Sequence, residues 1–154
     1  MVGIWYLLRC PKGDEHAYVQ KYQQFTVPGK VKEVIYFKYQ RLMRWGGKWH
    51  METLPILPGC IFLSAKNMEL NEDAYFLTPC ERPYLKDLCW EDNLVPMSRG
   101  MIKNGRTIVT KGPLKGRECL IRRIDRHKRI AEIEIALEGQ KRQVTVGLEI
   151  NEKQ

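Results

Sequence analysis

The residues best equipped for chemistry in this chain are cations. Arg122, Arg123, Arg126, Lys128 and Arg129 crowd one short segment that only Asp125 and His127 interrupt as non-cationic polar residues. Like charges so close repel one another in the free protein, and a phosphate backbone relieves that repulsion while releasing counterions. Upstream, Lys111, Lys115 and Arg117 sit in the loop Lys111-Gly112-Pro113-Leu114-Lys115-Gly116-Arg117. They would join the same surface if strand pairing brings the two loops together. A solvated, exposed loop is the plainer account of these residues, and binding is the preferred one. A second set, Lys38, Tyr39, Arg41, Arg44, Trp45, Lys48 and Trp49, interleaves cations with aromatics. That mixture suits single-stranded nucleic acid, where bases stack and phosphates pair. Packing of both tryptophans across a hairpin explains it equally well.

Signals for catalysis are weak by comparison. Gly100-Met101-Ile102-Lys103-Asn104-Gly105-Arg106-Thr107 nearly matches a phosphate loop, but Arg106 replaces the lysine and a strand, not a helix, is expected to follow. No Gly-x-Ser-x-Gly occurs. Cys60 and Cys119 have apolar neighbours and no nearby histidine, which reads as inert core thiols. Asp125-Arg126-His127 could position a base, yet a charged hairpin tip accounts for it. No catalytic residue is expected, and the chain reads as a non-enzyme. The five cysteines have irregular spacing without C-x-x-C, and His16, His50 and His127 lie far apart, so reduced thiols are expected, with neither metal nor cofactor.

These groups must be positioned by the surrounding elements. Ile4–Cys10 reads as a buried strand. Asp14 is placed to cap a helix over Glu15–Gln24, on which Tyr18, Tyr22 and Phe25 form one aromatic stripe. Pro28-Gly29-Lys30 is a turn and Glu33–Gln40 a strand. Trp45-Gly46-Gly47-Lys48-Trp49 is a hairpin tip with a returning strand over Trp49–Leu57. Cys60–Ser64 is an apolar strand, Met68–Tyr75 weakly helical, and Thr78–Asn93 carries no clear pattern. Beyond a boundary near Leu94–Gly100 the pattern becomes purely β. Thr107–Thr110, Leu120–Ile124, the alternating Ala131–Leu137, Val144–Val146 and Leu148–Ile150 predict five short strands of a small SH3-like barrel.

Net charge is +8, and residues 102–154 hold +6 of it against +2 in residues 1–101, counted from 13 Lys/Arg and 7 Asp/Glu against 13 and 11. Such asymmetry favours a nucleic-acid surface in the C-terminal third. No apolar run is long enough to span a bilayer, and the N-terminal Met1–Arg9 stretch lacks a basic leader, so a cytoplasmic location is expected.

Several motifs together carry a family likeness. Trp5-Tyr6-Leu7-Leu8-x-Cys10-x-x-Gly13, Leu54-x-x-Leu57-Pro58-Gly59-Cys60-Ile61-Phe62-Leu63 and Val95-Pro96-Met97-Ser98 resemble the N-terminal (NGN) domain of NusG-family transcription elongation factors. Val109–Gly116 followed by Ile124-Asp125 resembles that family's KOW motif, and Ile124–Arg129 with Gly147–Ile150 looks closest to its specialised antiterminator branch, LoaP. The resemblance implies an α+β fold: an NGN-like antiparallel sheet with flanking helices over residues 1–98, a short linker over 99–105, and a five-stranded KOW barrel over 106–154. It also implies docking on the clamp helices of the largest catalytic RNA polymerase subunit, through Tyr6, Leu57, Pro58, Cys60 and Phe62. Arg9, Lys12 and His16 match positions that can approach non-template DNA. The KOW module recruits a partner, and its charge here argues for nascent RNA, a structured leader element, held by Lys111, Lys115, Arg117, Arg122, Arg123, Arg126, His127, Lys128 and Arg129. The expected protein is a monomeric, operon-specific processive antitermination factor with no membrane partner. A KOW-type RNA-binding protein acting in ribosome assembly or translation is the alternative. Cys119 stands where the KOW motif usually has glycine.

Overall fold

A computed structural model describes residues 4–25, 31–65, 75–77 and 85–154. The expected turn at Pro28-Gly29-Lys30, Cys80, and all but the last residue of the expected helix Met68–Tyr75 lie outside them. In chain order the elements are β1 (Ile4–Arg9), α1 (Glu15–Phe25), β2 (Val31–Ile35), β3 (Lys38–Trp45), β4 (Lys48–Pro55), β5 (Cys60–Ala65), β6 (Tyr75–Phe76), α2 (Leu85–Leu88), β7 (Leu94–Val95), β8 (Ser98–Lys103), β9 (Arg106–Lys111), β10 (Ile121–Asp125), β11 (Ile130–Leu137) and β12 (Gln140–Lys153). The fold is mixed α+β and mostly sheet. No helix among the described residues is long and apolar enough to cross a membrane.

Two compact units result. The first comprises residues 1–36, 57–83 and 137–140. Its sheet runs β2-β5-β1-β6, with β1 antiparallel to β5 in the register Leu7↔Phe62 and Leu8↔Ile61. Side chains alternate across a strand, so Leu8, Ile61, Leu63, Ala65 and Val34 share one face, where they gather with Val19 of α1. Tyr18 and Tyr22 pack against that cluster from the same helix. Every residue of β5 is buried, so both of its faces are covered, which is why it reads as an unbroken apolar run.

The second unit comprises residues 37–56, 84–136 and 141–154. The β3–β4 hairpin groups here with the C-terminal strands, although it precedes Ser98 in the chain. Its tip is as expected: Gly46 and Gly47 have φ of +61° and +77°, and Trp45 pairs with Lys48. Two consecutive positive φ values are what a two-residue hairpin turn needs to match strand twist. β7 pairs with β3 only at Lys38 and Tyr39, completing the three-stranded order β4-β3-β7.

The remaining strands pair in the order β10-β11-β12-β8-β9. The alternation over Ala131, Ile133, Ile135 and Leu137 is buried as predicted. Val144, Val146, Leu148, Val109 and Leu114 are buried too.

Three expectations change. Glu33–Gln40 is not one strand: β2 ends at Ile35, β3 begins at Lys38, and the two belong to different sheets. Residues 99–103 are not linker but part of β8, which pairs with β12 and with β9 through a turn at Asn104-Gly105. Leu148–Ile150 is not a separate closing strand, because β12 runs unbroken from Gln140 to Lys153. The five strands are reached because β8 takes the place assigned to the last segment. The ends of the order are β10 and β9, and no pairing among the described residues joins them into a closed barrel.

Candidate nucleic-acid interface

Hairpin register decides where the aromatic side chains go. Arg44 lies opposite Trp49 and Trp45 opposite Lys48, so the two tryptophans occupy opposite faces and do not pack on each other. Trp45 instead stacks on His50, ring centroids 3.4 Å apart and planes within 7°, and its Nε1 donates to Glu52 at 3.2 Å. Trp49 has the Arg129 guanidinium carbon 3.8 Å from its ring centroid and that of Arg44 at 5.9 Å. Trp49 remains 41% exposed.

The β10–β11 turn is held from within. The Asp125 carboxylate accepts from the Lys128 amide at 2.9 Å. That hydrogen bond, more than any other group, holds the Asp125 carboxyl below the usual range, with the Lys128 and Arg123 charges and the His127 amide adding to it. Asp125 therefore builds the turn that displays its cationic neighbours. Arg129 takes φ +57°, and its carbonyl accepts from the Leu148 amide at 3.0 Å, tying the turn to β12. Arg126, His127 and Lys128 project as exposed side chains.

A groove of about 500 Å³ lies between this turn and the hairpin. Arg41, Leu42, Met43, Arg44 and Trp49 line it from β3 and β4, and Arg126, His127, Lys128 and Arg129 from the turn. Five of the nine lining residues are cations and none is a carboxylate. The Arg41 Nη2 donates to the Lys128 carbonyl at 3.1 Å and bridges the two walls. The Arg41 Nε is buried and has no partner among the described residues.

Not every expected RNA contact belongs to this groove. Arg122 pairs with Glu134 at 3.0 Å, and Arg123 with Glu132 at 3.9 Å, across the β10–β11 ladder. Exposed pairs of this kind contribute about 0–1 kcal/mol to stability, but with Arg129, which lies 4.0 Å from Glu149, they leave only Arg126 and Lys128 of the five clustered cations outside these ion pairs. The signal that would have revealed them is the acidic half of the alternating strand, Glu132 and Glu134. The loop with Lys111, Lys115 and Arg117 packs beside β8, where the Leu114 amide donates to Ser98 Oγ at 3.2 Å. β8 and β12 separate it from the turn in the strand order, and it does not line the groove. Arg117 bonds the Pro113 carbonyl at 2.9 Å.

In the first unit, Arg9 pairs with Glu138 and donates to Cys60 Sγ at 2.8 Å. Lys12 lies in the exposed turn after β1, and His16 is exposed in the first turn of α1, edge-on to Tyr36 at 6.5 Å. Of the residues assigned to polymerase docking, Leu57, Cys60 and Phe62 are 8%, 2% and 1% exposed. Tyr6 is half-buried and Pro58 exposed.

The thiols divide by environment. Cys60 is buried, while Cys119 is exposed in a short turn rather than in the core, and its φ is not positive, so the missing glycine there leaves no backbone strain. Burial pushes the Cys89 thiol up to about 12, which makes it a poor nucleophile. No known family profile matches the chain, and no curated protein matches it.

Proposed function

We propose that the chain is an operon-specific transcription elongation factor of the NusG type, acting in processive antitermination. In this reading an NGN-like N-terminal domain grips RNA polymerase at the clamp helices of its largest catalytic subunit, and a KOW-type basic module holds nascent RNA. The groove between the β3–β4 hairpin and the β10–β11 turn carries the proposal. Five cations line it, of which Arg129 also lies 4.0 Å from Glu149, and they form an electrostatic surface for phosphates, while Trp49 offers a face for a base. The motif resemblance along the chain supports the polymerase half.

The burial of Leu57, Cys60 and Phe62 favours a second reading, in which the chain binds RNA in ribosome assembly or translation without polymerase. Affinity capture with the full chain separates them. The elongation reading expects RNA polymerase to co-purify, and expects Tyr6→Ala with Pro58→Glu to lose it while RNA binding survives. It also expects read-through of terminators in a reconstituted transcription assay, only on templates carrying the native leader. Retention of RNA without polymerase would transfer the protein to the second reading.

A further inference from the structure

We propose that the groove reads an unpaired nucleotide. One base stacks on the platform formed by Trp49 and Arg129, and the flanking phosphates lie against Arg41, Arg126 and Lys128. This rests on the RNA-binding reading above and narrows it, from charged RNA in general to a single strand, loop or bulge of the transcript.

The backbone at Arg129 is the first ground. Its φ of +57° falls in the region that crowds any residue with a Cβ and that glycine enters freely. An arginine at such a position points to a role for its side chain, which lies 3.8 Å from the Trp49 ring centroid and is steered there by Glu149 at 4.0 Å. Arginine planes and aromatic rings are the surfaces on which unpaired RNA bases stack.

Arg41 is the second ground. Its Nε is a buried donor without an acceptor among the described residues, in a groove whose described lining holds no carboxylate. A buried donor left unpaired is costly, and it belongs to a guanidinium whose residue lines the groove, where a phosphate oxygen is an acceptor of matching charge.

Shape is the third. The groove is concave and of ligand-pocket size, about 500 Å³. A duplex keeps its bases inside the stack and would touch only the rim cations with its phosphates. An unpaired nucleotide can enter without breaking base pairs.

The test titrates the full chain with a labelled single-stranded RNA, a blunt duplex RNA of the same sequence, and the matching single-stranded DNA. The variants are Trp49→Ala, Trp49→Phe and Arg129→Gly. Single-stranded RNA is expected to bind tighter than duplex. Trp49→Ala should weaken single-strand binding roughly 5- to 100-fold, the usual worth of one stacked base, and leave duplex binding unchanged. Trp49→Phe should recover most of the loss. Arg129→Gly should weaken binding while thermal stability is retained, because glycine suits the backbone there. Equal affinity for single strand and duplex, both untouched by Trp49→Ala, would overturn the nucleotide site while leaving an RNA-binding protein. Absence of any RNA binding would overturn the functional reading and the site together. Weaker binding of the DNA strand supports the transcript as the source; equal or tighter binding overturns that assignment.

Discussion

Glu15 is 4% exposed at the start of α1, and its carboxylate accepts from the Gly13 amide at 3.1 Å and the Gly59 amide at 3.0 Å. It thereby joins two turns that flank the β1–β5 pair. Burial pushes this carboxyl up, but the amides of Gly59, Glu15 and Gly13 together outweigh burial and hold it below its ordinary value. A depressed folded-state value means that the stabilisation is complete above the unfolded value, about 4.3, and is lost as pH falls through the folded one. Glu15→Gln should therefore cost about 1–3 kcal/mol at neutral pH in urea unfolding, and the gap to wild type should close on acidification below pH about 4. An equal gap at both pH values would remove the carboxylate from the account. Asp125 allows a second test at this scale, because charge and geometry predict opposite outcomes. Asp125→Ala raises the net charge, so electrostatics alone expects tighter RNA binding. Loss of the bond to the Lys128 amide frees the turn, and we expect weaker binding in a filter assay.

Among the elements, β12 approaches the β3–β4 hairpin closely at Gly147. A Cβ on Gly147 would stand 2.1 Å from the Gln40 carbonyl oxygen, a distance only backbone movement can relieve. Gly147→Ala should destabilise by about 1–3 kcal/mol or more, measured by denaturant unfolding, and should weaken RNA binding, since it pushes the hairpin wall from the groove. An unchanged unfolding midpoint would show that the contact gives way freely. The strand pairings also set which cations are available. Glu132 and Glu134 project from β11 towards Arg123 and Arg122, whereas Arg126 and Lys128 stand past the end of the ladder, where no carboxylate on β11 lies opposite them.

For the whole molecule the measurable consequence is salt dependence. Arg126→Ala with Lys128→Ala should reduce the log–log slope of RNA affinity against salt by roughly 1–2, one unit for each phosphate contact. Arg122→Ala with Arg123→Ala should change it less, because Glu134 and Glu132 already balance those charges. Equal effects of the two pairs would return the binding surface to the whole basic cluster. Much of this protein is legible in its residues. Helix α1, the Gly46-Gly47 tip and the β11 alternation each follow from periodicity or turn chemistry within a few neighbours, and the excess of positive charge follows from composition. The Asn104-Gly105 hairpin was equally legible, since asparagine-glycine favours such turns, yet its nearness to the apparent domain boundary made a linker the expected reading. The groove was not legible. Arg41 and Lys128 are 87 residues apart, and their hydrogen bond depends on strand pairing and on β12 lying against the hairpin. Local sequence determined which pieces exist, their facing periodicity and their charge. Only the tertiary structure decided that an aromatic hairpin and a cationic turn share one cavity, because the partners of a strand are chosen by burial of its apolar face across the whole chain and not by its immediate neighbours.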